Sequence, residues 1–236
     1  MRAVILAGGQ GRRLQPYTAV LPKPLMPIGD VPILEVVVRQ LKRSGFADIT
    51  MAVGYLAELL MAYFGDGQKL GVRVRYSREE EPLGTAGPLS LVERPAESFL
   101  VMNGDLLTTL DYRALWNRHR ELGAIATLAT FRRDVKIDLG VIQADGAGWV
   151  TGYIEKPTYH YSVSTGIYIF EPSVLDYIPA RRRMDLPDLV RTLLASGQRV
   201  ATYPFEGIWL DIGRWEDYER AAQEFDQHRV EFLPAE

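Results

Sequence analysis

The chain has 236 residues, of which 27 are basic and 30 acidic, so its formal net charge at pH 7 is −3. This balance gives no electrostatic reason to expect a nucleic-acid partner. Hydrophobic residues make up 47% and charged residues 24%, which is ordinary for a globular protein, and there is no cysteine. Disulfides, thiolate metal ligands and cysteine nucleophiles are therefore excluded.

The start of the chain does not resemble a secretory signal, because the apolar run after Met1 and Arg2 stops at Gly8. No later run approaches the roughly 18 apolar residues of a membrane span. We expect a cytoplasmic protein without a membrane partner, and the composition leaves a homo-oligomer open. Since no linker, low-complexity tract or internal repeat is visible, residues 1–236 are expected to form a single domain.

The first half of the chain alternates between strand and helix patterns. Residues 2–7 form a continuous apolar run that ends in glycines, which is typical of a strand buried on both faces. In chain order the pattern predicts strands at 2–7, 48–53, 72–77, 98–102 and 125–131 and helices at 33–44, 55–63, 86–92 and 111–122. This alternation predicts an α/β fold with a mostly parallel sheet flanked by helices.

The second half has a different rhythm, with turn signals such as Asp145-Gly146 between short strands. The pattern predicts strands at 139–144, 149–155, 163–170, 199–203 and 207–211 and helices at 185–196 and 214–226. We expect a mixed β elaboration of the α/β core. Ligands of open α/β sheets bind beyond the carboxyl ends of the strands, which directs attention to residues 8–13, 103–105 and 211.

A glycine-rich loop follows the first strand and contains Gly8, Gly9, Gly11 and Arg13. Glycines let backbone amides approach a phosphate closely, and arginine adds a planar set of donors. The loop is not a Walker A motif. A dinucleotide-binding helix fits poorly as well, because five of the 14 prolines fall within residues 16–32 and predict an extended loop. The alternative is a plain glycine turn with solvated arginines.

Lys23 lies within the same loop between Pro22 and Pro24. Flanking prolines restrict the backbone, so the lysine could meet a phosphate without a large ordering cost. A surface lysine in a proline-rich loop is the alternative.

Two aspartates follow apolar strands that lie far apart in the sequence. Asp105 belongs to Asn103-Gly104-Asp105 after the strand at 98–102, and Asp211 closes the strand at 207–211. Mg²⁺ favours one or two carboxylates together with substrate phosphates. The two side chains are candidate ligands of one Mg²⁺ ion, and the alternative is that each caps a turn.

Two charged segments have a binding and a plain structural interpretation. Glu155 and Lys156 after a predicted strand could contact sugar hydroxyls and an anomeric phosphate, or they could form an exposed salt-bridged turn. Glu81 precedes a tight turn that contains Gly84 and leads into a short predicted helix. The three histidines have no metal-ligand spacing, which argues against zinc, and His119 on a polar helical stretch is expected to be solvated.

Seven segments together resemble the sugar-1-phosphate nucleotidyltransferases. In chain order over residues 2–218 they are GGQGRRLQPYT, PKPLMPI, EPLGTAGPL, NGD, EKP, STGIY and WLDIG. The resemblance implies one Rossmann-like α/β domain that joins a nucleoside triphosphate to a sugar 1-phosphate with Mg²⁺ and releases pyrophosphate. We expect no hexapeptide-repeat β-helix domain of the kind that some relatives append.

The resemblance also assigns roles to individual positions. The residues implied are Arg13 and Lys23 at the reacting phosphates, Asp105 and Asp211 as Mg²⁺ ligands, Gly8, Gly9, Gly11 and Gly84 at the nucleotide, and Asn103, Gly140, Glu155, Lys156 and Tyr168 at the sugar phosphate. One departure is Arg12, where the family usually has threonine. It leaves open how the loop holds the phosphates.

The nucleobase is assigned from Glu81 and its turn. Guanine offers two adjacent donors that a carboxylate can accept together, whereas uracil and thymine suit a glutamine. EPLGTAGPL most resembles the mannose-1-phosphate guanylyltransferases, so GTP is favoured. Three alternatives stay open: a UTP- or dTTP-dependent glucose-1-phosphate enzyme, a non-catalytic nucleotide-sugar sensor of the same fold, and a glycosyltransferase, although the Asp-x-Asp motif expected of that last class is missing.

Overall fold

The buried apolar runs of the sequence form the strands of one central sheet in this computed structural model, which describes residues 1–233. The strands are β1 (Arg2–Ala7), β2 (Pro27–Ile28), β3 (Val31–Pro32), β4 (Asp48–Val53), β5 (Arg73–Arg78), β6 (Phe99–Asn103), β7 (Leu106–Thr108), β8 (Ala126–Lys136), β9 (Val141–Ala144), β10 (Val150–Ile154), β11 (Thr158–Phe170), β12 (Val200–Phe205) and β13 (Trp209–Asp211). The helices are α1 (Ile33–Arg43), α2 (Ala57–Phe64), α3 (Tyr112–Leu122), α4 (Leu186–Ala195), α5 (Trp215–Gln227) and α6 (Arg229–Phe232).

The central sheet has seven strands in the order β12-β8-β11-β6-β1-β4-β5. The pairs β1–β4, β1–β6, β4–β5 and β8–β12 are parallel, whereas β11 is antiparallel to both of its neighbours. The prediction of a mostly parallel sheet with a mixed C-terminal half is therefore confirmed. The carboxyl ends of β1, β4, β5, β6 and β8 all lie at one edge, where loops can build a site.

Both faces of the sheet are covered, as the unbroken apolar run of β1 predicts. Ala3, Ile5 and Ala7 pack on the face that α1, α2 and α3 cover, and Val4 belongs to the cluster beneath α4 on the other face. A third cluster lies between α5 and the loop that follows β1. No helix within residues 1–233 is long and apolar enough to span a membrane.

Several local predictions were wrong in extent or form. The segment predicted as a helix at 86–92 is a 3₁₀ turn at Gly87–Leu91. The loop after β1 is not extended throughout, because 3₁₀ turns form at Arg12–Leu14, Tyr17–Ala19 and Lys23–Leu25. Prolines fix φ near the value that such turns use, so they are compatible with these turns as well as with extended chain.

A long two-stranded arm was also missed. β8 and β11 continue past the sheet edge, and their ladder runs from Ser164 opposite Thr130 to Thr158 opposite Lys136. The smaller hairpin β9–β10 lies between them in the chain. The charged residues of the arm interrupt the apolar pattern from which strands are predicted. The ladder forms nevertheless, because strand pairing satisfies the backbone hydrogen bonds without a buried face.

His119 is buried, which contradicts the expectation that it is solvated. Only 1% of its surface is exposed, because its position on α3 faces the sheet. The ring lies between Thr127 Oγ1, 2.8 Å from Nδ1, and Glu171 Oε1, 3.0 Å from Nε2. Burial lowers the pKa of His119, against the opposing effect of Glu171. These contacts suit a neutral imidazole that accepts from Thr127 and donates to Glu171.

Candidate active site

A cavity of about 1180 Å³ opens at the carboxyl edge of the sheet. Of the residues predicted from the sequence, those that line it are Gly8, Gly9, Gly11, Arg13, Lys23, Glu81, Gly84, Asn103 and Asp105. They come from the ends of β1 and β6, which are neighbours in the sheet, and from the turn after β5, which is separated from β1 by β4. The topology thus brings distant segments of the sequence to one site.

The loop of residues 8–26, called the phosphate loop after its predicted role, forms one wall of this cavity. Gly11 has a φ of +60°, and a Cβ atom there would lie 2.9 Å from Thr18 Cγ2. Thr18 Oγ1 donates to the Gly11 carbonyl oxygen at 2.9 Å and closes the loop on itself. Glycine is needed at this position for both the backbone angle and the space. The 3₁₀ turns that follow present Arg13 and Lys23 on the same loop.

Lys23, Asp105 and Asp211 form a charged cluster beside the loop. Lys23 is buried, with 8% of its surface exposed, and its ammonium group forms an ion pair with Asp105 Oδ2. Asp211 is exposed, yet nearby protein atoms partly desolvate its carboxylate and raise its pKa, and the charge of Asp105 acts in the same direction. Lys23 and Arg13 oppose that rise, so all four groups share one electrostatic field.

The register of a small ribbon explains why two distant aspartates meet. β7 follows Asp105 directly and pairs antiparallel with β13, with Asp211 opposite Leu106. The backbone N–H of Ile212 donates to the Asp105 carbonyl oxygen at 3.3 Å. This long-range pairing joins two strand ends that are separated by more than a hundred residues.

The two carboxylates fit the coordination habits of Mg²⁺. Within the described part of the chain no group of three or more His, Asp or Glu side chains is arranged to hold a metal. Mg²⁺ commonly uses one or two protein carboxylates and completes its shell with water and substrate phosphates. Burial raises the pKa of Asp211 and the charge of Asp105 adds to that rise, and two such neighbouring carboxylates suit a divalent cation.

The turn after β5 contributes a residue that the sequence interpretation missed. Glu79 Oε2 accepts the backbone N–H of Leu83 at 3.0 Å. A Cβ atom on Gly8 would lie 2.4 Å from Glu79 Oε1, so this carboxylate lies against the phosphate loop. Glu79 lines the cavity together with Glu80 and the exposed Glu81. Glu79 directly follows β5, and this position at a strand end is the signal that could have identified it. It was missed because the strand was predicted to end one residue earlier than β5 does.

Arg183 is a second cavity residue that was not predicted. It belongs to a segment that is locked onto the turn containing Gly84. The N–H groups of Ala86 and Gly87 donate to the Met184 carbonyl oxygen, and the Thr85 N–H donates to Asp185 Oδ1 at 3.0 Å. No sequence motif marks this contact, since it joins residues about a hundred positions apart.

Five predicted residues do not line the cavity, and three of them lie on or beside the arm. These three are Gly140, Glu155 and Lys156. Glu155 and Lys156 are exposed, and Tyr153 Oη donates to Glu155 Oε2 at 3.1 Å. Tyr168 is a core residue with 4% exposure, and its ring stacks on Phe170. The remaining one, Asp211, is connected to the site through the cluster with Asp105 and Lys23.

The chain belongs to the nucleotidyl transferase family, whose sequence pattern matches residues 2–228. This confirms the family that the motifs indicated. A UTP–glucose-1-phosphate uridylyltransferase of Synechocystis sp. is 38% identical over 241 residues, which cover 94% of this chain and 62% of that protein. Mannose-1-phosphate guanyltransferase beta-B of Xenopus laevis is 33% identical over 226 residues, covering 92% and 62%. The chain thus spans 62% of the length of each of these relatives.

A solved structure shows the same fold. A putative glucose-1-phosphate thymidylyltransferase from Bacillus anthracis, in complex with a sucrose, superposes with a TM-score of 0.78 and 27% sequence identity. The superposition covers 94% of both chains. The α/β architecture is therefore shared across nearly the whole of this chain.

Proposed function

We propose that the protein transfers a nucleotidyl group from a nucleoside triphosphate to a sugar 1-phosphate and releases pyrophosphate. The observation that carries this proposal is the convergence of Arg13, Lys23, Asp105 and Asp211 beside the glycine-rich loop. The family supports the same reaction class. The product would be a nucleotide sugar, and a nucleoside triphosphate as substrate favours the cytoplasm.

The chemistry requires positioning and charge rather than a general base. An oxygen of the sugar phosphate attacks the α-phosphorus, and the bond from that phosphorus to the oxygen bridging the β-phosphate breaks. The attacking oxygen is already anionic, so no proton has to be removed. Charge shifts onto the departing pyrophosphate, and phosphoryl transfer of this kind is accelerated by fixed positive groups.

The residues of this chain supply these groups. Backbone N–H groups of Gly8, Gly9 and Gly11 can approach phosphate oxygens closely, and Arg13 adds a planar set of donors. Lys23, held in place by Asp105, is a cation fixed beside the site. Asp105 and Asp211 would hold a Mg²⁺ ion, which when bound neutralises phosphate charge and orients the triphosphate.

The sugar-phosphate contacts are assigned to the arm and the end of β6. Asn103 lines the cavity, and Gly140, Glu155 and Lys156 lie on or beside the arm that extends past the same sheet edge. Exposed charges on a segment that extends from the same sheet edge are compatible with contact to a bound sugar phosphate. Tyr168 would act only through the strand it stabilises, because its side chain is buried.

We propose GTP as the triphosphate and a mannose-1-phosphate-like hexose or heptose as the sugar. Glu79 and Glu81 place two carboxylates in the cavity wall near Gly84, and a carboxylate can accept both adjacent donors of guanine. The Xenopus laevis relative is named a mannose-1-phosphate guanyltransferase, which agrees with this choice. The Synechocystis relative is named a UTP–glucose-1-phosphate uridylyltransferase, so UTP with glucose 1-phosphate is the second candidate.

A pyrophosphate-release assay with Mg²⁺ tests both levels of the proposal. GTP, UTP and dTTP are each combined with mannose 1-phosphate and glucose 1-phosphate, and kcat/KM is compared. We expect the highest value with GTP and mannose 1-phosphate. Release with UTP or dTTP instead contradicts the base assignment alone, whereas no release in any combination contradicts the enzymatic function and favours a nucleotide-sugar sensor.

Two glutamine variants then locate the base-reading carboxylate. Glu81→Gln and Glu79→Gln each remove one acceptor while keeping the size of the side chain. Loss of a paired acceptor for a buried donor changes the ratio of kcat/KM between GTP and UTP by 10-fold or more. An unchanged ratio in Glu81→Gln excludes Glu81, and an unchanged ratio in both variants assigns base recognition to backbone groups near Gly84.

A further inference from the structure

Two exposed aromatic rings are stacked beside the phosphate loop. The rings of Tyr17 and Trp215 have centroids 4.8 Å apart and an interplanar angle of 12°. Tyr17 is 53% exposed and Trp215 is 37% exposed. Neither residue belongs to one of the three apolar clusters.

Both rings belong to segments that carry candidate active-site residues. Tyr17 lies in the phosphate loop between Arg13 and Lys23, and Trp215 begins α5 four residues after Asp211. Gly213 lies between Asp211 and Trp215 in the chain. A Cβ atom on Gly213 would be 3.3 Å from Arg13 Nη1, so the guanidinium of Arg13 packs against the backbone of Gly213. The stack therefore joins the phosphate loop to the start of α5, and these are the two segments that bring Arg13 beside Asp211.

The helix side of this contact is itself fixed. Trp215 Nε1 donates to Glu219 Oε1 at 2.8 Å, and the ring lies 5.2 Å from that of Tyr218. Tyr218 Oη in turn donates to the Pro27 carbonyl oxygen at 2.5 Å, just past the end of the phosphate loop. Helix α5 is thus attached to the middle of the loop through Tyr17 and to the residue just past the end of the loop, Pro27.

We propose that the Tyr17–Trp215 stack is an aromatic clasp that holds the phosphate loop in the conformation that presents Arg13. Trp215 is then a positioning residue that acts through Tyr17 and Arg13, since neither ring lines the cavity. This inference rests on the proposed function. The physical reason is preorganisation: the internal hydrogen bonds of the loop join residues at most seven positions apart, so contacts with α5 fix its turns relative to the rest of the site. Displacing a charged group by about 1 Å can reduce turnover roughly 100-fold.

Steady-state kinetics on three variants test the clasp. We expect Trp215→Ala and Tyr17→Ala each to lower kcat about tenfold or more, with a smaller change in KM for the triphosphate and an unfolding midpoint that falls by only a few degrees. Trp215→Phe, which keeps a stacking ring, should recover most of kcat. A kcat of Trp215→Ala within twofold of the unmodified protein overturns the proposal, as does a Trp215→Phe variant that is as impaired as the alanine variant.

The double variant Tyr17→Ala/Trp215→Ala shows whether the two rings act as one unit. If they do, the double variant loses no more kcat than either single variant, because the contact is already broken. Multiplying losses overturn the proposal. Should Trp215→Ala fail to fold, Tyr17→Ala on the exposed turn remains as the test by the same criteria.

Limited proteolysis provides a readout that does not depend on activity. Trypsin cleaves after arginine, and Arg12 and Arg13 are exposed on the loop. We expect faster cleavage at these two positions in Trp215→Ala than in Trp215→Phe, and equal rates overturn the clasp. If the unmodified protein releases no pyrophosphate in any substrate combination, the proposed function fails while this comparison still decides whether the stack orders the loop.

Discussion

Lys23 is the most buried positive charge in the cavity and has a single assigned partner, Asp105. A cation held in this way needs no reordering when charge develops on the phosphates, so it should matter most in the transition state. We expect Lys23→Ala to lower kcat by a factor that corresponds to about 2–4 kcal/mol. Steady-state kinetics measure this, and a raised KM with an unchanged kcat would instead make Lys23 a residue for uniform binding.

The two aspartates should be needed for turnover, and Asp211 should not be needed for folding. Asp105→Asn and Asp211→Asn are each expected to abolish most activity and to raise the Mg²⁺ concentration required for the rest. The raised pKa of Asp211 means that the fold disfavours its charged form, so removing that charge should not lower the unfolding midpoint. Near-normal rates of either variant at limiting Mg²⁺ would identify that aspartate as a turn cap.

His119 should make the stability depend on pH below its ordinary pKa of 6.5. Since burial lowers the pKa of His119 in the fold, the unfolded chain binds a proton at a pH where the native state does not. The free energy of unfolding contributed by this group is intact above about 6.5 and falls as the pH drops, by at most about 1.4 kcal/mol per unit. Denaturant unfolding of His119→Gln should show a shallower dependence, and an identical slope contradicts the assignment.

At the scale of elements, the sequence predicts the features that neighbouring residues determine and misses those that depend on contacts between distant segments. The bounds of β1 and α1 are predicted to within a residue, because an apolar run ends at Gly8 and a helical pattern ends near Gly45. The arm escapes prediction because its ladder is exposed and carries Arg132, Arg133 and Asp134. His119 was misjudged from its polar neighbours, since the side of α3 that it faces is set by the packing of α3 on the sheet.

The candidate site follows the same division. Asp105 and Asp211 are each predictable as strand ends, but their meeting depends on the register of β7 and β13, which no local pattern specifies. Glu79 was within reach of the strand-end rule, whereas Arg183 enters the cavity through contacts between residues about a hundred positions apart. Residue types can therefore be predicted from motifs, and their grouping only from the assembled sheet.

The turn containing Gly84 and the segment before α4 stabilise each other. Gly84 has a φ of +82°, and a Cβ atom on it would lie 2.6 Å from Asp185 Oδ1. Thr85 Oγ1 accepts the Leu186 N–H at 2.8 Å, which supplies a partner for one of the first amides of α4. This turn, which lines the cavity and which we propose to contact the base, is thus held by the start of a helix on another segment.

Thr85→Val tests this connection, because it keeps the shape of the side chain and removes the acceptor. An unpaired, partly buried amide costs about 1–3 kcal/mol, so the free energy of unfolding should fall by that amount. We also expect KM for the triphosphate to rise as the turn loosens. Thr85→Ser, which retains the hydroxyl, is the matched control, and equal stability of the two variants would show that the bond contributes nothing.

For the whole molecule, the carboxyl edge of the sheet organises every candidate functional element. Strand β1 leads into the phosphate loop, β5 into the turn with Glu79, and β6 into the turn with Asp105, and all three segments line one cavity. The arm of β8 and β11 extends from the same edge. The third apolar cluster joins α5 to the phosphate loop beside this edge. The packing of that cluster and the order of the site are therefore linked through α5. Different residues of α5 contribute to each: Phe225 to the cluster and Trp215 to the site.

Phe225 at the centre of the third cluster should affect stability rather than catalysis directly. Its side chain is fully buried, stacks on Phe232 with centroids 5.8 Å apart, and belongs to the cluster of Leu14 and Ile28 on the loop side. Truncation of a buried phenylalanine to alanine costs about 3–5 kcal/mol through lost burial and the cavity that remains. For a chain of this length, each kcal/mol lowers the unfolding midpoint by roughly 2–4 °C.

We therefore expect Phe225→Ala to lower the unfolding midpoint by roughly 6–20 °C, measured by thermal denaturation. Val230→Ala on α6 is the control, because Val230 is 75% exposed and its truncation creates no cavity. The comparison with Trp215→Ala separates the two roles of α5: loss of Phe225 should destabilise the fold strongly, whereas loss of Trp215 should lower kcat while the midpoint falls by only a few degrees. A midpoint of Phe225→Ala equal to that of Val230→Ala would mean that α5 does not stabilise the loop through this cluster.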